Sequence, residues 1–529
     1  MASNYPGSFD SFPTITADKL MSDTVGGRAH RGMHNDMGDV IEAMQAELGL
    51  NPSGQAATVA ARLDNQTVVN VKDYGAAGND TTDDTTAIQN ALSAGAGKTV
   101  YVPPGTYKIT DYLTVSANTL VTGPGTIHQT GTGKAGLKIN GSGVTIDGIT
   151  LKGRHASATY NAGENAIDAT GAVGSPLTDV VIRDVTATRW GYDGIWLQHV
   201  TGFGVTACVI TDCGYSGVAV LSSFSGEIRG NRIDNISPGS GGNNYGVSIT
   251  HGGGDASVSP ASAHIITDGN TISNVGWNPI DTHGGTNLVI SNNVVLGNSQ
   301  AGIAVVSAAS DRVARDITIT GNVIDGMSES APPAGTKAIA VAGYGYANAD
   351  EFSYGIVISN NILRRTGNMQ FYNTRGMVIS GNTLDRINPY GMLFYDKNTS
   401  MAVVGNTCCD LWSDTNGNGG FITEAGTETT GTVTGNVLLR GSKSATYVNR
   451  FGIKTMGTGA SLTLGMNDFW VAQFDPISNM ADVKTGFFPV YGGAPVTQPT
   501  VTGAKGGNAA LTSLCTALAN RGLITNSTS

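Results

Sequence analysis

One short phrase recurs through the middle of the chain and limits what it can fold into. Two alternating apolar residues precede Gly-Asn or Asn-Asn, and a further apolar residue follows. It reads IRGNRI around Asn231, TDGNTI around Asn270, ISNNVV around Asn293 and ITGNVI around Asn322. It continues as ISNNIL around Asn361, ISGNTL around Asn382, VVGNTC around Asn406 and VTGNVL around Asn436. The intervals are 39, 23, 29, 39, 21, 24 and 30 residues. A constant core phrase at variable spacing describes one structural unit, stacked many times, with loops inserted at its corners. Degenerate copies near Asp147, Asp184 and Cys208 extend the array upstream.

Within each unit, period-2 runs of β-branched residues are cut by Gly, Asn and Asp, the pattern of short strands and tight turns. Three short strands need a little over 20 residues, which the shortest intervals supply. The reading is all-β: a right-handed parallel β-helix, with asparagines stacked at one corner because Asn tolerates left-handed φ and bonds locally. About eleven coils at about 4.8 Å each give a rod of roughly 50 Å. Composition agrees. Of 529 residues 74 are Gly and only 13% are charged, which suits many turns and argues against disorder and long solvated helices.

The net charge of −10 and the lack of any Lys/Arg block argue against a nucleic-acid partner. Five cysteines with no C-x-x-C pair read as buried free thiols. The first residues lack the basic and apolar regions of a signal peptide, and there is no 18-residue apolar run for a membrane span.

Just upstream of the repeats, VVNVKDYGAAGNDTTDDTTAIQNALSAGAGKTVYVPPGTYKIT (68–110) reads as a strand, a Gly turn and a short helix. Thr82, Asp83 and Asp84 open the helix, Ala87, Ile88, Ala91 and Leu92 form its apolar face, and Gly95 ends it. Such a helix would cover the open end of a solenoid core. The GAGKT within it is not a phosphate loop, since its order is helix then strand. This stretch resembles the opening segment of pectate-lyase-like β-helix proteins, through D-Y-G-A, D-D-T, A-I-Q and V-x-V-P-P-G-x-Y. The resemblance implies the fold and leaves the activity open.

Residues 1–66 differ in composition. Met37, Val40, Ile41, Met44 and Leu48 make a helical stripe too short to be stable alone. His30 and His34 have metal-like spacing without a third ligand, so no metal or other cofactor is expected. This region resembles the N-terminal attachment region of phage tail proteins, especially those of phages infecting actinobacteria. The organisation expected is 1–66 attachment region, 67–445 β-helix, 446–495 β-rich module and 496–529 tail, with one helix at roughly 508–520.

Candidate chemistry comes from aligning the second strand type. Residues one and three beyond its first residue are apolar (Ile195, Val218, Val247, Ile280, Ile303) and should point inward. Residues two and four beyond should point outward: Trp196/Gln198, Ala219/Leu221, Ser248/Thr250, Asp281/His283, Ala304/Val306, Gln370/Tyr372 and Leu393/Tyr395. One strand thus carries an acid and an imidazole where its neighbours are small or apolar. His251, Asp193 and Asn278 lie at strand ends, with Trp277 and Asp255 in nearby loops. Aromatic faces beside carboxylates and imidazoles on a long face suit a glycan groove. Trp196, Gln198, His251, Trp277, Asn278, Tyr372 and Tyr395 are the candidate sugar contacts. Hydrolysis needs two carboxyl groups across the bond, here Asp281 with Asp193 or Asp255, tuned by His283 or His251. Glu164 and Asp168 are weaker candidates. No outward position of this strand set is Arg or Lys, which counts against elimination by an Arg base.

The termini and the repeats together resemble a phage tailspike, a receptor-binding protein of the tail. The resemblance implies a homotrimeric virion protein held to other tail or baseplate proteins through residues 1–66. It also implies a host cell-surface polysaccharide as ligand, either hydrolysed or simply bound.

Overall fold

The structure is a computed structural model. It describes residues 68–236, 243–298, 300–327, 335–345, 351–411, 420–439, 451–456, 460–469, 477–478, 500–503, 509–520 and 525–528, and near the start 24–25, 28–29, 37 and 39–44. His30, His34 and most of the segment 446–495 lie outside the described residues. The chain divides into two units, Met1–Val69 and Asn70–Ser529.

From Thr99 to Arg364 each coil is three strands, and each strand pairs in parallel with the one three places later. Beyond that, Thr383–Val404 runs as one long strand that pairs with both Gly367–Arg375 and Val378–Ser380. One coil is Ile195–Gln198, Val200–Thr206 and Val209–Thr211; the next is Ser216–Leu221, Phe224–Arg229 and Arg232–Ile236. Ile195 faces Val218, Val218 faces Val247, and Val247 faces Ile280, so the register is unbroken. Those four residues, and Ile303 and Ile339 beyond them, are fully buried as their alternation predicts. Each such side chain contributes about 2 kcal/mol of apolar burial. The architecture is a right-handed parallel β-helix.

The asparagine phrase builds a ladder. Asn293 Oδ1 accepts the Asn270 amide at 3.0 Å and Asn270 Nδ2 at 2.9 Å, while Asn293 Nδ2 donates to the Thr267 carbonyl at 2.9 Å. The same three bonds recur from Asn231 to Asn436 and end on Asn467. In one respect the sequence reading is corrected. The left-handed residue is not the ladder Asn but the one before it, such as Gly269 (φ 64°) or Asn292 (φ 55°). Turning there leaves the following side chain pointing along the axis, toward its copy in the next coil.

One boundary also changes. The stack does not stop at 445, because Phe451–Thr455 and Ala460–Leu464 pair in register with Gly420–Glu424 and Glu428–Thr434. Asn467, which lacks the full phrase, still supplies a rung. At the other end the capping helix spans Thr85–Ala94, with Ile88, Ala91 and Leu92 buried. Gln89 docks it by bonding both the amide and the carbonyl of Thr114. Asp84 turns inward and accepts the amides of Ala77 and Gly78, and Asp83 accepts the Thr85 amide. A second helix, Ala509–Asn520, lies where the tail helix was expected.

Candidate functional site

The face of interest is the sheet formed by Ile195–Gln198, Ser216–Leu221, Tyr245–Thr250, Asn278–His283, Ala301–Val306 and Lys337–Ala342. Alternation breaks near the start of each strand. A Cβ on Gly246 would lie 2.6 Å from Ile272 Cγ2, a core atom, so Gly246 and Val247 both face inward. Two successive inward residues put the residue before them and the residue after them on the same outer side. Tyr245 therefore joins Ser248, and Asn278 joins Asp281. The outer face is richer than strict period-2 alternation allows.

Asp281 is the first correction. It lies on the outer side, as predicted, yet is fully buried rather than free to meet solvent. Its Oδ1 accepts from Asn278 Nδ2 at 2.7 Å, and its Oδ2 has no hydrogen-bond partner, with His283 Nε2 3.4 Å away. Burial raises its pKa, against the opposing pull of His283 and the Asn278 amide. His283, with its side chain 37% exposed, is the member that reaches solvent. The expected roles exchange. His283 can donate or accept a proton at the surface, and Asp281 orients it from below.

Asp193 is the second. It too is fully buried, and neither oxygen meets a donor in hydrogen-bonding geometry. Burial pushes its pKa up to about 8, which the Ser216 hydroxyl and amide beside it offset only in part. It lies three rungs from the Asp281 strand. At about 4.8 Å per rung that is about 14 Å, beyond the roughly 5–9.5 Å that separates paired glycosidase carboxyls. The two cannot flank one glycosidic bond.

Asp255 is no better as the second acid. It is exposed and caps its own turn, accepting from the Ser257 amide and hydroxyl at 2.9 and 2.5 Å, which lowers its pKa. Glu164 is consumed by Arg154, His155, Asn161 and the Gly133 amide. Asp168 accepts from Thr170. The outward neighbours of Asp281 and His283 in the next coil are Ala304 and Val306, and on the other side Ser248 pairs with Asp281. None is a carboxylate.

The proposed sugar contacts separate into groups. Trp196 is half-buried, its ring 6.0 Å from that of Tyr192, and Gln198 is half-buried two residues on. His251 Nδ1 lies 2.7 Å from the Gly252 carbonyl, which fixes the ring at the strand end. Trp277 is half-buried, and Asn278 is buried, serving Asp281 through Nδ2 and the Ala301 amide through Oδ1. Asn278 is thus a structural bracket, not a sugar contact. Tyr372 and Tyr395 stack at 5.1 Å, at the end of an in-register column that starts at His283 and passes Val306 and Ala342.

Four tyrosines escaped the sequence reading. Tyr192 and Tyr215 stack at 4.8 Å and 4°, Tyr160 meets both edge-on, and Tyr215 meets Tyr245 edge-on at 5.7 Å. Tyr245 then approaches the His283 ring at 6.5 Å. A continuous aromatic row therefore leads from exposed Tyr160 to the Asp281–His283 pair. Burial raises the pKa of Tyr192, Tyr215 and Tyr245, with Asp193 or Asp281 adding to each shift. The signal was present as GYDG at 191–194 and GYSG at 214–217, with each tyrosine two positions ahead of the glycine that opens the aligned segment. Among the described residues no cluster of three or more His, Cys, Asp or Glu side chains could hold a metal ion, and all five cysteines are free.

A family model described as a right-handed beta helix region matches residues 74–261 and 135–324. The match agrees with the right-handed parallel β-helix that the strand pairing describes. Among solved structures, a mutant tailspike protein of E. coli bacteriophage HK620, in complex with a pentasaccharide, is similar at 11% identity. That match covers 81% of this chain and 82% of the other, with a TM-score of 0.52. The Dettilon tailspike protein is similar at 18% identity over 82% and 73% of the two chains, TM-score 0.45. The catalytic unit of a GH87 alpha-1,3-glucanase from Streptomyces thermodiastaticus is similar at 18% identity over 79% and 70%, also at 0.45. No curated protein matches by sequence. The first of these likenesses shows the fold. No helix among the described residues is long and apolar enough to cross a membrane.

Proposed function

We propose that this protein is a phage tailspike-like receptor-binding protein that holds a host cell-surface polysaccharide along the Tyr160–Tyr245 row and the His283–Tyr395 column. The observation that carries this reading is the aromatic row itself. Five rings, Trp196 included, lie in mutual contact on one outer face of a rigid solenoid. Ring faces suit the C–H faces of sugars, and the polar groups between them suit hydroxyls. Small residues at Ala219, Ser248, Ala304 and Ala340 leave the floor between the aromatic ends low.

Hydrolysis is the second reading, favoured by one observation: a buried carboxyl of raised pKa beside a solvent-reaching imidazole at the end of the row. His283, the member of the pair that reaches solvent, can pass a proton to a bound sugar, with the Asp281 carboxyl orienting it from below. The remaining organisation belongs to the same proposal. Residues 1–66 join the protein to other tail or baseplate proteins, and three chains assemble on the virion. Exposed Val289, Val378 and Val404 on the outer faces of the coils suit that packing.

The test is to incubate the full chain with purified surface polysaccharide from actinobacterial hosts, measuring retention, new reducing ends and ultraviolet absorbance. Retention that falls in Trp196→Ala supports the binding reading. New reducing ends that vanish in His283→Ala establish hydrolysis at this pair. Absorbance of an unsaturated product replaces hydrolysis with elimination. Failure to retain any host polysaccharide overturns the proposal.

A further inference from the structure

A hollow lies round the corner from the aromatic row, on the neighbouring sheet. Phe224, Ala263, Thr286, Arg315 and Tyr354 follow one another rung by rung in register. Ala263 and Thr286 are short, so a cavity of about 400 Å³ opens between Phe224 at one end and Arg315 with Tyr354 at the other. That volume falls within the range of small-molecule sites.

The walls are held in place by the protein's own bonds. Arg312 is 6% exposed and staples the overhanging loop, donating from Nε to the Ser259 carbonyl at 3.1 Å and from Nη2 to the Gly254 carbonyl at 2.6 Å. The turn below it requires glycine, since a Cβ on Gly284 (φ 75°) would lie 2.6 Å from the Arg312 carbonyl oxygen. Asp255 now has a role, capping the turn that forms this wall. A site whose walls are already ordered loses little entropy on binding.

The chemistry of the hollow is asymmetric. Arg315 is exposed, and among the described residues its guanidinium donates from Nη1 to the Tyr354 hydroxyl at 3.1 Å. Arg375 sits over the Tyr354 ring at 5.5 Å, adding a second positive charge on the next rung. Phe224, Pro260 and Val313 supply apolar wall, and Asp311 stands at the rim. Because the chain carries a net charge of −10, this local pair of cations stands against the charge of the whole.

We propose that this hollow binds a carboxylate-bearing sugar residue, separately from the aromatic row. The free N–H groups of Arg315 face the carboxylate, a planar match that guanidinium makes better than ammonium. The apolar wall takes the C–H face of the ring, and Thr286 and Asp311 take hydroxyls. Asp311 also disfavours doubly charged groups such as sulfate or phosphate. The proposal rests on the glycan-binding reading for the class of polymer and names one of its units as acidic.

Saturation-transfer NMR titration of the full chain with D-glucuronate and with D-glucose tests it. Glucuronate is expected to bind at least tenfold more tightly than glucose, and Arg315→Gln, with an unchanged melting curve, to bring it down to the glucose level. Trp196→Ala should leave glucuronate binding intact while weakening polysaccharide retention, which separates this site from the row. Equal binding of the two sugars overturns the proposal. So does glucuronate binding that survives Arg315→Gln, or equally strong displacement by inorganic sulfate.

Discussion

Two corners of the same coil treat buried polar groups in opposite ways. At the asparagine corner every ladder side chain from Asn231 to Asn436 is buried and its oxygen and nitrogen are both bonded. At the aromatic corner, a few residues away in each coil, Asp193 and Asp281 are equally buried and leave oxygens unbonded. A satisfied buried amide contributes modestly to stability, whereas an unsatisfied carboxyl detracts from it. The unmatched corner is the one that carries the proposed site. The ladder stabilises the rod, and the rod can then carry polar groups that destabilise it.

That contrast can be broken first at the ladder. Asn322→Ala removes the acceptor for the Asn293 amide and side chain and the donor to the Ile290 carbonyl. A loss of about 3 kcal/mol or more is expected, read as faster hydrogen exchange at the rungs of Asn293 and Asn361. Exchange unchanged there would mean the ladder is not what secures the stack.

The opposite result is expected at Asp193. Its raised folded pKa means that the folded chain holds a proton which the unfolded chain releases above about pH 4. Stability from this group is complete below that pH, falls as pH rises toward about 8, and is flat beyond. Asp193→Asn should therefore raise the melting temperature by about 3 °C or more at pH 8, with the gain vanishing near pH 4. A gain that is the same at both pH values would mean the carboxyl is not held protonated.

Asp281→Asn sharpens the comparison, since it keeps the shape and removes the acid. Stability should be maintained or slightly improved, while any reducing-end release is lost. Retained release would move the acid elsewhere. Trp196→Ala should cut polysaccharide affinity by about tenfold, as loss of one aromatic contact of about 1.4 kcal/mol implies, with little effect on melting. The smallest effect belongs to Asp255→Ala, which loses an exposed turn cap and should leave the melting temperature within about 1 °C of the parent; a larger drop would mean that this cap secures more than its own turn.

How far the sequence could be read depends on which face is considered. The inward column, Ile195 through Ile339, and the ladder from Asn231 to Asn436 were visible because one core and one repeated turn impose the same demand on every coil. Trp196, His283 and Tyr372 were placed on the correct face by simple alternation. Tyr245 was missed because Gly246 interrupts that alternation, which shows only in the contact with Ile272, and Tyr192 and Tyr215 because they precede their strands, where alternation says nothing. The separation of Asp193 from Asp281 needed the register, since the loops between them vary in length.

By itself, then, the sequence determined the periodic part of this protein: a parallel coil, its apolar interior, its Asn corner and its capping helix. These follow from local rules that act identically on each repeat. The tertiary structure alone decided that Asp281 is buried and His283 is not, that Asp255 serves a loop wall, and that Arg315 faces a hollow. Those outcomes depend on which side chains from other coils lie within a few ångströms, and burial, unlike direction, is set by neighbours distant in the chain.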